Sequence, residues 1–334
     1  MNEKEKEKEK EEESFFSKLQ IRSVIKPKSE IILQVLEIAN KYILLLPNKG
    51  DIEIYEIKLY KFLMTIPESI HENRINRVTE LKSGLLVTTS SDQNVKILKL
   101  DYDKKEYKEI QTLFGHTCDV WMCLELSDGN LATSSNDKTI RVWFNDPETN
   151  LYEEFKILST DYDEVGEMLE TKNKILVTCS VFDAPFEVQL WDISTYERIG
   201  VVEGIATCGC RDLIQLTDDI ICVNGSRDYE GLQFISLSQM AKVKQIKDFN
   251  DNKIDSFHIA KDGTFLIGYG EGNFDDINDP SNSGNIKQYK FNEKDLTLTE
   301  IYEKKKAHNF VILGFNQLSN GDFVTFANDV KIWK

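Results

Sequence analysis

Short apolar runs recur along the chain at nearly even spacing. Tyr42 to Leu46, Leu86 to Thr89, Leu131 to Ser134, Leu176 to Cys179 and Leu266 to Gly268 are each only a few residues long. Runs of this length, rich in Val, Ile, Leu and Thr and bounded by Gly, Asn, Asp and Ser, read as strands rather than helices. Around the third run the pattern resolves into four strands. Asp119 to Leu126 is followed by a turn at Ser127 to Asn130, and Asn130 to Ser135 by a turn at Asn136 to Thr139. Ile140 to Phe144 and Leu151 to Leu158 complete the set, labelled strands a to d. Val, Ile, Thr and aromatic residues dominate them, as pleated pairing favours.

With Thr133 as reference, counting back 45 residues gives Thr88 and then Ile43. Counting forward gives Thr178, Asn224, Gly268 and, 57 residues further, Thr325 beyond an insertion at 270–285. The copies span about 28–67, 70–114, 115–159, 160–203, 204–247, 248–305 and 306–334. Their flanks repeat as well. Seventeen residues separate His71 from Thr88, His116 from Thr133 and His308 from Thr325. Asp92, Asp137, Asp228 and Asp329 lie four residues after their references. Six residues later stand Leu98, Trp143 and Phe234, while Trp191 and Trp333 fill that slot in repeats with longer or shorter turns. Tyr55 and Tyr289 take it in the first and sixth.

A Gly-His pair (Gly115-His116), a strand-b Ser/Thr, a turn Asp and a strand-c Trp together resemble the WD40 repeat. The resemblance covers residues 15–334 and implies an all-β, seven-bladed β-propeller, since one such unit cannot bury both faces without stacked copies. It also implies a buried His–Thr–Asp–Trp hydrogen-bond tetrad. His116, Thr133, Asp137 and Trp143 supply it in full. His71, Thr88 and Asp92 lack the Trp, because Leu98 stands there. His308, Thr325 and Trp333 flank a turn two residues short, so the third repeat is expected to hold the only intact tetrad. The remaining repeats are expected to rely on packing.

The seventh repeat stops at Trp333-Lys334, after its third strand. Upstream of the first repeat, residues 18–24 alternate apolar and polar. This N-terminal strand is expected to complete the last blade beside Val330 to Trp333, closing the ring and removing an open edge. Residues 1–14 read as a charged, flexible arm, with seven Glu and four Lys between Glu3 and Glu13. It has no apolar a and d positions for a coiled coil.

Charge narrows the partners. The formal net charge is −16, and the arm supplies only −3 of it. Nucleic acid and anionic membranes are therefore not expected as partners, since both need basic surface. No run of eighteen apolar residues and no apolar signal segment occurs, so a cytoplasmic protein is expected. Cys118, Cys123, Cys179, Cys208, Cys210 and Cys222 contain no C-x-x-C pair and read as small apolar fillers of a reduced protein.

Candidate chemistry is thin. Three of the four histidines fall at the repeat's His position, which leaves only His258, and one strand histidine makes no metal site. No Ser-His-Asp or Cys-His constellation remains, and neither G-x-S-x-G nor the phosphate loop occurs. In the insertion, Asp276 and Asn278 alternate as calcium ligands would, but Pro280 takes the third place and no Glu closes the loop. No metal and no cofactor are expected, and no enzymatic activity. The resemblance implies a protein-interaction scaffold or a subunit of an assembly. A reader of short peptide motifs or degrons in the central funnel is the alternative, and a propeller-fold enzyme the outlier.

Two surfaces present themselves for protein partners. The first joins the atypical b–c turns of blades four to six: Phe182, Asp183 and Phe186, then Arg227 and Tyr229, then Phe274, Asp275 and Asp276. Aromatic groups beside charges on a rigid rim are the usual make-up of binding hot spots. The competing surface lies around Arg74, Ser91, Asp119 and Asn136.

Overall fold

The apolar runs pair into seven antiparallel sheets of four strands each. The computed structural model describes residues 20–28, 31–161, 164–180, 187–205, 212–225, 231–247, 254–272, 279 and 281–334. In the third sheet the strands are Val120–Glu125, Leu131–Ser135, Thr139–Asn145 and Tyr152–Ser159, within a residue or so of the pattern read from sequence. Among the described residues, helix is confined to one 3-10 turn at Glu68–Ile70.

The chain forms two compact units. One, Lys28–Ile254, carries the first five sheets; the other joins Met1–Pro27 with Asp255–Lys334 and carries the last two. In the larger unit, each central strand is buried on both faces. Leu131 packs with Val87, Ile97 and Trp143, whereas its neighbour Ala132 packs with Leu176, Val142 and Trp191. Alternate residues of one strand thus fill the seams to two neighbouring sheets, which explains why these strands read as continuous apolar runs.

Two devices repeat from sheet to sheet. The first is a bulge on the outermost strand. Trp143 pairs with Glu154 and Val142 with Lys156, so Phe155 is left without a partner residue. Leu63, Ile110, Ile199, Val243 and Ile301 are skipped in the same way. These six residues are apolar and lie beside the Trp slot, whereas the outermost strand of the last sheet skips Arg22, between the partners of Trp333 and Ile332. A bulge kinks an edge strand and spoils it as a template for another chain.

The second device is a carboxylate or amide at the end of strand a. Glu80, Glu125, Glu170 and Gln215 accept the backbone N–H of Ala39, Lys82, Ser127 and Lys172, each in the a–b turn of the preceding sheet. Within the smaller unit Gln317 does the same for Lys261. These contacts tie neighbouring sheets together where the turns expose unpaired donors.

The first strand, Ile21–Ile25, belongs to the last sheet. It pairs antiparallel with Val330–Trp333, Ile21 facing Trp333 and Ile25 facing Val330. Gln20 and Lys334 exchange both backbone hydrogen bonds at 3.0 Å. The sheet order places the N-terminal strand outside the other three, as expected from the truncated last repeat. Lys18 and Leu19 of the expected strand lie outside the described residues. Arg22 of this strand pairs at 2.6 Å with Asp322, which is almost fully buried.

Candidate functional site

In the third blade, His116 Nδ1 lies 2.8 Å from Asp137 Oδ2, and Nε2 lies 2.8 Å from Thr133 Oγ1. The Trp143 indole N–H donates to the same hydroxyl at 2.9 Å. Asp137 also accepts the backbone N–H groups of Thr117 and Thr139, each at 3.0 Å. Burial pushes its carboxyl up, but the bonds from His116 and Thr139 outweigh burial and hold it below the usual carboxylate range. Gly115 precedes the histidine at φ +152°, and a Cβ there would sit 2.6 Å from the Arg141 guanidinium, which pairs with Glu154. The Gly of the Gly-His pair thus has a steric cause.

The second blade holds three of the four members. His71 bridges Asp92 and Thr88, both at 2.8 Å, with Leu98 fully buried in the Trp slot. Burial lowers the His71 pKa more than Asp92 raises it, so the ring is neutral at pH 7. The Asp92 carboxyl, despite its own burial, is held low by the backbone N–H groups of Glu72 and Asn94, and it acts only as an acceptor. The network therefore assigns the imidazole proton to Nδ1, leaving Nε2 to accept from Thr88.

The seventh blade departs from expectation. His308 contacts both Asp329 and Thr325, and Trp333 donates to Thr325 at 2.8 Å, so all four members are joined. The third blade is not alone in having a complete tetrad. In the fourth blade Trp191 still donates to Thr178 at 3.2 Å, so that repeat keeps one bond of the network besides its packing.

A hydroxyl–imidazole–carboxylate chain also has the connectivity of a nucleophile with its base and orienting group. Here Thr88, Thr133 and Thr325 have 0% exposure, and in two blades a Trp N–H occupies the hydroxyl oxygen. These oxygens are closed to solvent. Among the described residues, no group of three His, Cys, Asp or Glu could hold a metal ion. Cys118, Cys123, Cys179 and Cys222 are free thiols, while Cys208 and Cys210 lie outside the described residues.

Of the two candidate surfaces, Phe182, Asp183, Phe186, Arg227, Tyr229, Phe274, Asp275 and Asp276 all lie outside the described residues. Arg74, Ser91, Asp119 and Asn136 do not, and the structure brings them together. Arg74 and Asp119 occupy equivalent places before strand a of the second and third blades. Their carbonyls accept the N–H of Ser91 and Asn136, at 2.9 and 3.0 Å, from the b–c turns of the same blades. The Ser91 hydroxyl donates to Asp119 at 2.8 Å, which links one blade to the next.

Two residues missed by the sequence reading complete the cluster. Asn76 receives the Arg74 Nε–H at 3.1 Å and donates to the Val120 carbonyl at 2.8 Å. Trp121 lies half-buried with the Arg74 guanidinium 5.9 Å from its ring centre, and its indole N–H donates to Asn136. Both sit at the same repeat position, twelve residues before the reference Thr. No other repeat has Asn or Trp there, so periodicity alone gave no signal.

The model of the family described as WD domain, G-beta repeat, matches residues 107–143. Among solved structures, the crystal structure of the WD40 β-propeller domain of Doa1 is similar, with a TM-score of 0.69 and 15% sequence identity over 96% of this chain and 98% of that one. No curated protein sequence matches the chain. At that identity the structural likeness is one of fold, and it agrees with the seven four-stranded sheets and with the His–Thr–Asp–Trp networks described above. Residues 107–143 thus match one WD repeat, and the fold is that of a WD40 β-propeller.

Proposed function

We propose that this chain is a non-catalytic docking platform for other proteins, and that a partner sits on the turns of the second and third blades around Arg74, Ser91, Asp119, Trp121 and Asn136. WD40 propellers generally mediate protein interactions. The observation that carries the placement is the cross-braced Arg74–Trp121 pair. A half-buried cation and a half-buried indole are held by neighbouring amides on turns outside the core. Arg and Trp lead the residues that dominate binding energy, and side chains already fixed in place lose little entropy on docking. A propeller fold does not specify its partner, whereas the side chains on this surface do. A non-catalytic role is supported by the burial of the three tetrad hydroxyls.

The test compares two folded variants in affinity purification of the tagged protein. Arg74→Ala/Asp119→Ala is expected to lose co-purifying chains that Phe182→Ala/Phe274→Ala/Arg227→Ala retains. The reverse pattern moves the site to the turns of blades four to six.

A further inference from the structure

Among the described arginines, Arg22, Arg77, Arg141 and Arg198 each pair with a carboxylate, on Asp322, Glu167, Glu154 and Asp161 respectively. Arg74 is the exception. Its guanidinium is held by neutral groups alone: Asn76 on Nε at 3.1 Å, Asn48 on Nη1 at 3.4 Å, and the Trp121 ring. Asp119, the acid of the cluster, is engaged by the Ser91 hydroxyl instead. In a chain of net charge −16, a cation left without a counter-charge is conspicuous.

We propose that Arg74 is a preset receptor for a carboxylate, supplied by an acidic side chain of a partner protein; this rests on the docking reading above. The guanidinium is planar and presents five N–H donors in a fork that matches a carboxylate. Nε–H and one Nη1–H are already directed at Asn76 and Asn48, which leaves the Nη2 side of the fork to receive a ligand. The braces are themselves braced. Asn76 is tied to Val120 and Ser91, and Trp121 to Asn136, so the fork is oriented before a ligand arrives.

Beside it opens a cavity of about 650 Å³ lined by Asn48, Lys49, Glu68, Ser69, Glu72 and Asn73. Lys49 adds a second cation. Glu68 is occupied by the Gly50 N–H at 2.9 Å, and Glu72 is exposed. Arg74 and Lys49 are balanced by Glu68 and Glu72, so the wall supplies no net positive charge to hold a phosphate dianion, while the planar fork still matches a carboxylate. A carboxylate on an otherwise apolar or neutral segment suits the site.

The full-length protein is tested against an array of 12-residue peptides made in matched sets, each set differing only in whether one central position is Glu, Gln, phosphoserine or Lys. Sets that bind are expected to prefer Glu over Gln at least tenfold. Arg74→Met and Arg74→Gln should abolish that preference, Arg74→Glu should shift it to Lys, and Glu72→Trp, which fills the cavity, should weaken all binding. Thermal melts establish that each variant is folded. Binding that Glu72→Trp blocks but that shows no Glu preference, or a preference that survives both neutral variants, overturns the carboxylate assignment while the docking surface stands. A preference for phosphoserine over Glu overturns it in favour of phosphate. Binding indifferent to every variant, or no binding by any set, sinks the surface and the assignment together.

Discussion

The indole N–H of Trp333 donates to the Thr325 hydroxyl at 2.8 Å across a connection two residues shorter than its counterpart in the third blade. The spacing shows where the two residues are missing. His308 and Asp329 are 21 apart, as are His116 and Asp137, so the shortening falls after the Asp. The strand register also survives. Trp333 faces Phe323 and Trp143 faces Leu131, each two residues before the reference Thr. Removing an even number of residues leaves every side chain on its original face, so the Trp still meets the hydroxyl.

Asp329→Ala and Asp137→Ala are therefore both expected to destabilise by about 1–3 kcal/mol, through a buried histidine left unpaired. Asp92→Ala should cost about 0.5–1 kcal/mol less than Asp137→Ala, because only Asp137 also binds a threonine hydroxyl, that of Thr139. Urea midpoints at unchanged slope measure all three. Asp329→Ala with wild-type stability would show that the seventh network adds nothing.

The last blade depends on its first-strand partner. Deleting residues 1–13 leaves Ile21–Ile25 whole and should barely move the melting temperature. Deleting 1–25 strips the strand from Val330–Trp333 and removes Arg22 from the buried Asp322. Taking the paired cation away from a buried carboxylate is costly. Arg22→Ala alone should cost about 1–3 kcal/mol. Equal melting temperatures for the two truncations would contradict the pairing.

Glu170 offers a natural control. Its carboxylate accepts the Ser127 N–H, whereas the equivalent bonds to Lys172 and Lys261 are made by the amides of Gln215 and Gln317. The bond needs an oxygen acceptor, not a charge. Glu170→Gln should stay within about 0.5 kcal/mol of wild type, and Glu170→Ala should lose about 1 kcal/mol. Loss on both substitutions would assign the role to charge instead.

The fold was legible because each blade repeats one pattern, and the reference Thr, His and Asp sit at fixed offsets that stacking must preserve. The Glu80, Glu125, Glu170 series was equally periodic, eight residues before each reference, yet charged residues at a turn read as solvated surface. The apolar bulge residues such as Phe155 were hidden for a different reason. A bulge adds one residue to a strand, and period-two alternation shifts there without any residue type marking it. At the candidate surface, Arg74, Ser91, Asp119 and Asn136 were readable from their place beside the turns. Asn76 and Trp121 were not, since their role arises from contacts between neighbouring blades and occurs in these two alone.

His258 gives the structure a defined acid sensitivity. Its ring packs edge-on against Phe323, with centroids 6.1 Å apart, and burial pushes its pKa down to about 4. In the unfolded chain the value returns to about 6.5. As pH falls below 6.5, the unfolded state takes up the proton first, so stability is full above that value and declines towards pH 4. Burial also lowers His71 and His308 against the pull of their Asp partners, and both act with the same sign. At pH 5.5, above the isoelectric point near 4.9, the His258 share of the loss is about 1 kcal/mol. His258→Phe keeps the ring packing and removes the proton site. Urea midpoints at pH 7.5 and 5.5 should therefore differ less in the variant than in wild type, by about that amount. An identical pH dependence in the two proteins would show that His258 does not titrate on unfolding.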